Sequence, residues 1–302
     1  MNETDRLDTE QVNPLSDDLD QMSTEQILRV MNDEDRQVPV VVGRHLPVIA
    51  QAVDCIADAL GRGGRLFYVG AGTSGRLAAL DAYECPPTFG TPPETVQALL
   101  AGGSQLIQAD ESAEDDARQG ADDLRARSVG PNDVVVGIAA SGRTPYVLGA
   151  LSCAKQSGAR TIGLSCSAGS ALGQAADIAI EVPVGPEVLT GSTRLKAGTA
   201  QKLILNMLST AAMVKLGKVY RNFMVDMQPT NNKLLQRAER IVTNATGEEE
   251  AAAVQALQQT GYNVKAAIVL LISDTDAATS IRLLEQSGGR VRDAIRLAQN
   301  KD

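Results

Sequence analysis

The chain has 302 residues, 43% of them apolar, which is enough for one large core and a smaller second one. No stretch approaches the roughly 18 consecutive apolar residues of a membrane span, and no membrane partner is expected. The net charge of -9 is concentrated at the start, where residues 1–36 hold eleven acids against three arginines; the remainder is nearly neutral and repels no anion.

With no Trp and only 3% aromatic residues, the chain has little with which to stack bases, so nucleic acid is not an expected partner. The N-terminus is polar and acidic, without the basic segment and apolar run of a secretory signal, and the expected location is cytoplasmic. Cys55, Cys85, Cys153 and Cys166 show no Cys-x-x-Cys spacing and read as reduced thiols, neither a disulfide framework nor a zinc site.

In chain order, the acidic lead passes into a helix beginning near Thr24, with Ser23 or Thr24 as its cap, and a second helix from about Val40 to Leu60. Strand-like and helical runs then alternate. Strands are expected at 65–69, 95–100, 133–138, 161–166 and 177–182, and helices at 74–83, 104–127, 144–157 and 194–216. This alternation predicts a three-layer α/β/α sandwich around a five-stranded parallel sheet. After residue 230 no further strand-like run occurs, and Gly247, Gly261 and Gly288-Gly289 punctuate helical patterns. The expected division is 1–235 for the sandwich with its helical lead and 236–302 for a small helical domain. A three-helix fold like ubiquitin-associated domains is one reading of the latter; a packing or covering element is the plainer one.

Two near-copies follow the first and third strands: Gly72-Thr73-Ser74-Gly75-Arg76 and Ala140-Ser141-Gly142-Arg143-Thr144. A strand that turns through small residues into a helix aims backbone N–H groups, a hydroxyl and the positive helix end at one point, which suits a phosphate. Ser74 and Ser141 serve equally well as helix N-caps, and one loop alone does not separate the readings. Two loops at strand carboxyl ends of one sheet favour a shared ligand site. The Gly70-x-Gly72-x-x-Gly75 spacing also fits a dinucleotide fingerprint, but a second Ser-Gly-Arg loop suits a sugar phosphate better.

His45 is the only histidine and falls in a predicted helix, so carboxylates are left to move protons. Glu84 precedes Cys85-Pro86-Pro87, where two prolines are expected to stop the helix and hold the carboxylate in a rigid turn; a surface cap is the bland alternative. Glu114 lies among Asp110, Glu111, Asp115 and Asp116, either a solvated acidic face or a group whose pKa its neighbours raise. A third cluster, from Gly185 to Lys202, brings Glu187, Ser192, Thr193 and Lys196 to the start of a helix and suits an oxyanion, with Ser192 or Thr193 as a plain N-cap the alternative. No Walker loop or metal-spaced His/Cys set occurs, and no metal or redox cofactor is expected.

Gly70–Leu77, Glu84–Thr88, Gly137–Tyr146, Thr190–Thr199 and Asn32–Asp35 together closely resemble the N-acetylmuramic acid 6-phosphate etherases, nearly end to end. The resemblance implies a sugar isomerase (SIS) domain with a C-terminal helical domain, usually a homodimer. It implies cleavage of the C3 lactyl ether of a phosphorylated amino sugar, giving N-acetylglucosamine 6-phosphate and D-lactate without a cofactor. Glu84 matches the family's proton-donor glutamate and Glu114 its second catalytic glutamate. Gly72, Thr73, Ser74, Gly75, Arg76, Ser141, Gly142, Arg143, Thr144, Glu187, Ser192 and Lys196 are the expected substrate-binding residues. Ser112 stands where the family pattern has Gly.

Overall fold

A computed structural model describes residues 8–103, 111–229 and 231–300. By their contacts these form two compact units, one comprising the chain up to Tyr83 together with Glu94–Ala212, the other Glu84–Pro93 with Met213 onward. The division lies upstream of residue 235, because Tyr220, Val225 and Met227 belong to the same apolar core as Ala238, Ile241 and Val242.

In the first unit, α1 (Thr24–Asp35) opens on a capping box: the Gln26 N–H donates to the Ser23 hydroxyl, and the Gln26 side chain accepts from the Ser23 N–H at 2.8 Å. The expected 40–60 helix is two, α2 (Gln37–Arg44) and α3 (Leu46–Gly61), broken at His45. Pro47 explains the break, since proline has no N–H to continue a helix and belongs in a first turn.

The parallel strands β1 (Leu66–Gly70), β2 (Val96–Leu100), β3 (Val134–Ile138), β4 (Arg160–Ser165) and β5 (Ile178–Glu181) lie in the order β2-β1-β3-β4-β5. β1 and β3 are buried at every position, as a sheet covered on both faces requires. On one face Phe67, Val69 and Val135 pack with Leu124 of α5 (Ala117–Arg125) and Tyr146, Val147 and Leu151 of α6 (Pro145–Gln156). On the other, Tyr68 donates its hydroxyl to Asp81 of α4 (Gly72–Phe89), whose second oxygen accepts from Ser209 of α8 (Lys196–Lys215). The short α7 (Ala171–Ala175) joins β4 to β5. Of the expected 104–127 helix, residues 104–110 lie outside the described residues; a 3-10 turn occupies Glu111–Asp115, and Asp116 then caps α5.

Pro86 and Pro87 do not stop the helix as expected. α4 continues through both to Phe89, and its end is made by Gly90, which takes a left-handed conformation (φ +61°) and donates its N–H to the Pro86 carbonyl at 2.9 Å. The two prolines lie in the last turn, where each lacks an N–H and crowds the carbonyl four residues back, but the Pro86 carbonyl still closes the turn on the Gly90 N–H. Glu84 is therefore a helical residue and not part of a turn.

The second unit begins its own chain segment with a hairpin, β6 (Val219–Tyr220) and β7 (Phe223–Met224), too short to have shown as a pattern. It contains five helices among the described residues, where three were expected: α9 (Asn232–Thr246), α10 (Glu250–Gln259), α11 (Val264–Ser273), α12 (Ala277–Gln286) and α13 (Val291–Gln299). Asn231, Asn263 and Asp276 cap α9, α11 and α12 through their side chains. Gly247, Gly261 and Gly288-Gly289 stand at three of the four breaks between these helices; the fourth falls at Asp274, in the left-handed region without being glycine, and so carries no glycine signal. Among the described residues no single helix is long and apolar enough to cross a membrane.

Candidate functional site

The order β2-β1-β3 means that the chain leaves β1 toward one edge of the sheet and returns to start β3 on the other side. The crevice at the carboxyl ends of β1 and β3 is thus the switch point where open α/β sheets bind ligands. Gly70 and Ile138, the last residues of the two strands, are register partners, so the two Ser-Gly-Arg loops emerge side by side.

Close packing sets the first loop. Gly70 and Gly75 stack so tightly that a Cβ on Gly70 would lie 2.8 Å from the Gly75 α-carbon, and one on Gly75 would lie 2.1 Å from Leu100 Cδ1. The glycine spacing that resembles a dinucleotide fingerprint is thereby explained by helix–strand packing. α4 starts at Gly72, so Ser74 sits inside the first turn and is not the N-cap; it is buried. In the second loop Thr144 holds the cap position of α6 without a side-chain cap bond, and Ser141 lies three residues further upstream. Neither serine has the capping role that was the alternative to ligand binding.

Gly142 takes φ +68°, and a Cβ there would be 2.4 Å from Ser170 Cβ. Beneath it the Ser170 hydroxyl donates to Glu181 at 2.9 Å, and Glu181 also accepts from the N–H groups of Gly169 and Ser170. A part-buried hydrogen-bonded floor therefore fixes the second loop. Thr73, Arg76, Arg143 and Thr144 are part-exposed or exposed on the two loops.

Glu114 is half-buried and comes to the first loop: its Oε1 would be only 2.9 Å from a Cβ on Gly72, which has φ +51°. This carboxylate is therefore set against the first loop. Glu84 lies ten residues beyond Ser74 on α4, about 15 Å along the helix axis, is exposed, and belongs to the 84–93 segment that clusters with the second unit.

The third cluster turns inward. Both Glu187 oxygens accept backbone N–H groups at the start of α8, from Lys196 at 2.9 Å and Ala197 at 3.0 Å, and the residue is 1% exposed. Burial raises its pKa against the opposing pull of those two N–H groups and the nearby Lys196. Glu187 thus occupies the α8 N-terminus that Ser192 or Thr193 was otherwise expected to cap. Lys196, 3% exposed, pairs with Glu34 of α1, which also accepts from the Asn13 side chain at 2.8 Å. Ser16 donates to the Val188 carbonyl at 2.7 Å, so the segment around residues 13–16 fastens the 186–188 loop. α8 remains close to the first loop, because Gly198 backs onto Thr73 Cγ2 at van der Waals distance. Ser192 is part-exposed.

Sequence reasoning passed over two carboxylates. Glu34 entered only as part of a resemblance, although a glutamate in an acidic helix needs a distant cation to be buried. Asp81 is a lone acid in the small, apolar run of α4; burial raises its pKa, against hydrogen bonds from Tyr68 and Ser209. Leu80 and Tyr83 beside it are exposed, so the pattern of α4 gives no signal that Asp81 faces inward.

The sheet order and the paired loops define an α/β/α sandwich with a switch-point crevice, the architecture of SIS domains. Residues 48–155 match the N-terminal SIS domain of glucokinase regulatory protein, 118–211 the SIS domain, and 221–295 the C-terminal lid domain of glucokinase regulatory protein. A phosphoheptose isomerase from Francisella tularensis shares the fold (TM-score 0.51, 20% identity, 64% of this chain and 100% of that one), as does one from Neisseria gonorrhoeae (TM-score 0.50, 18% identity, 63% and 98%).

Relatives similar over nearly the whole length are more specific. N-acetylmuramic acid 6-phosphate etherases from Mesorhizobium japonicum (54% identity over 296 residues, 98% of this chain and 96% of the relative), Aeromonas hydrophila (55% over 282, 93% and 95%) and Streptomyces avermitilis (52% over 297, 98% and 96%) match it. The chain belongs to the N-acetylmuramic acid 6-phosphate etherase family.

Proposed function

We propose that this chain cleaves the C3 lactyl ether of N-acetylmuramic acid 6-phosphate, releasing D-lactate and N-acetylglucosamine 6-phosphate in amino-sugar recycling. The observation that carries the reading is Glu114 Oε1 poised over Gly72 at the switch-point crevice, in a chain at least 52% identical to etherases over more than nine-tenths of its length.

The reaction is a carbon–oxygen lyase step followed by hydration. In the open-chain sugar the aldehyde acidifies the C2 proton; Glu114 removes it to leave an enolate, Glu84 then protonates the departing ether oxygen, and lactate leaves as the C2–C3 double bond forms. Water then adds at C3 of the unsaturated aldehyde, and C2 regains a proton. The loops Gly72–Arg76 and Ser141–Thr144 hold the phosphosugar, with Ser74 and Ser141 as leading hydroxyl ligands and α4 and α6 presenting their positive ends. The enzyme so read has a SIS catalytic domain and a helical C-terminal domain, acts as a homodimer and is cytoplasmic.

The matches to glucokinase regulatory protein favour a second reading, a phosphosugar sensor that binds without cleaving. Incubating the protein with N-acetylmuramic acid 6-phosphate and assaying D-lactate separates the two. Lactate release that is lost in Glu84→Gln and Glu114→Gln supports the etherase; binding without lactate supports the sensor.

A further inference from the structure

The 84–93 segment carries Glu84 and packs within the second unit, so what grips that segment determines where Glu84 stands. The grip is specific. Six residues after Glu84, about 9 Å along the helix, Gly90 closes α4 with φ +61°, and its α-carbon abuts the hairpin's exit: a Cβ would lie 2.3 Å from the Asp226 carbonyl oxygen. Only glycine satisfies both the left-handed backbone and this approach. Asp226 is itself clamped. Its Oδ2 takes the Lys265 ammonium at 2.5 Å and the Lys218 ammonium at 3.2 Å.

Lys265 is the unusual member. It stands on α11, the sequence Val-Lys-Ala-Ala-Ile-Val-Leu-Leu-Ile-Ser, and is 8% exposed among residues of the apolar core. A lysine in that position carries a desolvation cost that only a fixed counter-charge offsets. Cys85 and Phe89, which flank the two prolines, are buried on the same segment, leaving Glu84 exposed beside them.

We propose that Lys265, Asp226 and Gly90 form a positioning clamp for Glu84, the group that protonates the leaving ether oxygen. This rests on the etherase reading. The two proton transfers make it testable, because C2 deprotonation belongs to Glu114 and departure of lactate to Glu84. A misplaced Glu84 leaves the first step running and stalls the second.

The experiment runs wild type, Lys265→Met and Gly90→Ala in D2O with N-acetylmuramic acid 6-phosphate, following D-lactate release and deuterium entry at C2 of unreacted substrate, with circular dichroism to follow folding. Lys265→Met leaves Asp226 paired with Lys218, and Gly90→Ala disturbs the same clamp from its other side, so the two variants fail independently if either does not fold. The expected result is a fall in kcat for lactate release of about tenfold, equal to about 1.4 kcal/mol, with KM within about twofold and exchange at C2 preserved. Equal losses of exchange and release, or full lactate release in a folded variant, overturn the clamp. A wild type that binds the substrate but releases no lactate overturns the etherase reading, and the clamp's role in catalysis with it.

Discussion

Replacing Gly72 by Ala tests the coupling between the first loop and Glu114. Two effects follow from the structure. Gly72 has φ +51°, and a side chain in that region costs about 1–2 kcal/mol, which for a chain of this size lowers Tm by several degrees. The new Cβ would also stand 2.9 Å from Glu114 Oε1, whereas ordinary carbon–oxygen contact begins at about 3.4 Å, so the carboxylate must retreat by roughly 0.5 Å. A displacement of 1 Å at a reacting group costs on the order of a hundredfold, so about tenfold in kcat is expected here. Steady-state D-lactate release gives kcat, and thermal unfolding gives Tm. In a Glu114→Gln background the Gly72→Ala change should cost little further activity, because the group it displaces is already gone. Wild-type kcat in folded Gly72→Ala, or a full additional tenfold loss in the double variant, refutes the coupling.

Gly142→Ala combines positive φ with a Cβ 2.4 Å from Ser170 Cβ and is expected to cost about 2–5 kcal/mol in urea unfolding; a loss below ~1 kcal/mol would mean that the second loop is not held as described. Burial raises the Asp133 carboxyl, but the Arg65 guanidinium and the N–H groups of Gly130 and Arg65 outweigh it and leave the pKa below the ordinary 3.8. Asp133 therefore contributes stability above pH 3.8 that is lost as pH falls through its lowered value, and the stability gap between wild type and Asp133→Asn should be about 1–3 kcal/mol at pH 7 and shrink below pH 3.8. Unfolding curves at both pH values check this, and a gap that grows in acid contradicts it. Cys166 is fully buried with its thiol pushed up to about 12 by burial and by the nearby Glu187, so native protein at pH 8 should leave it unreacted with iodoacetamide while unfolded protein is labelled; native labelling of Cys166 would contradict its placement.

The alternation of apolar runs and the paired loops make the sheet legible in the sequence, because a strand buried on both faces leaves an uninterrupted apolar run and each loop carries its own glycines. Breaks and helix ends were harder. The interruption at His45 required weighing Pro47 against a strong helical pattern, and the end of α4 lay past two prolines at a glycine whose role depends on Asp226, some 136 residues away in sequence. Of the four breaks between the five helices of the second unit, the one at Asp274 is illegible, because Asp274 adopts a glycine-like conformation with no glycine to announce it.

At the site, the Ser-Gly-Arg repeat marked the crevice, but the assignment of Glu187 and Lys196 to the substrate met internal partners: backbone N–H groups for one and Glu34 for the other. Such pairings join positions nine and 162 residues apart. Neither periodicity nor motif spacing encodes them.

The central claim is ether cleavage through removal of the C2 proton, and isotopic analysis of the products tests it most directly. With wild-type protein in water enriched in both deuterium and oxygen-18, the account predicts one deuterium at C2 and one oxygen-18 at the C3 hydroxyl of N-acetylglucosamine 6-phosphate, with the released D-lactate keeping its original ether oxygen. Oxygen-18 in the hydroxyl of lactate, or product with hydrogen retained at C2, would contradict it.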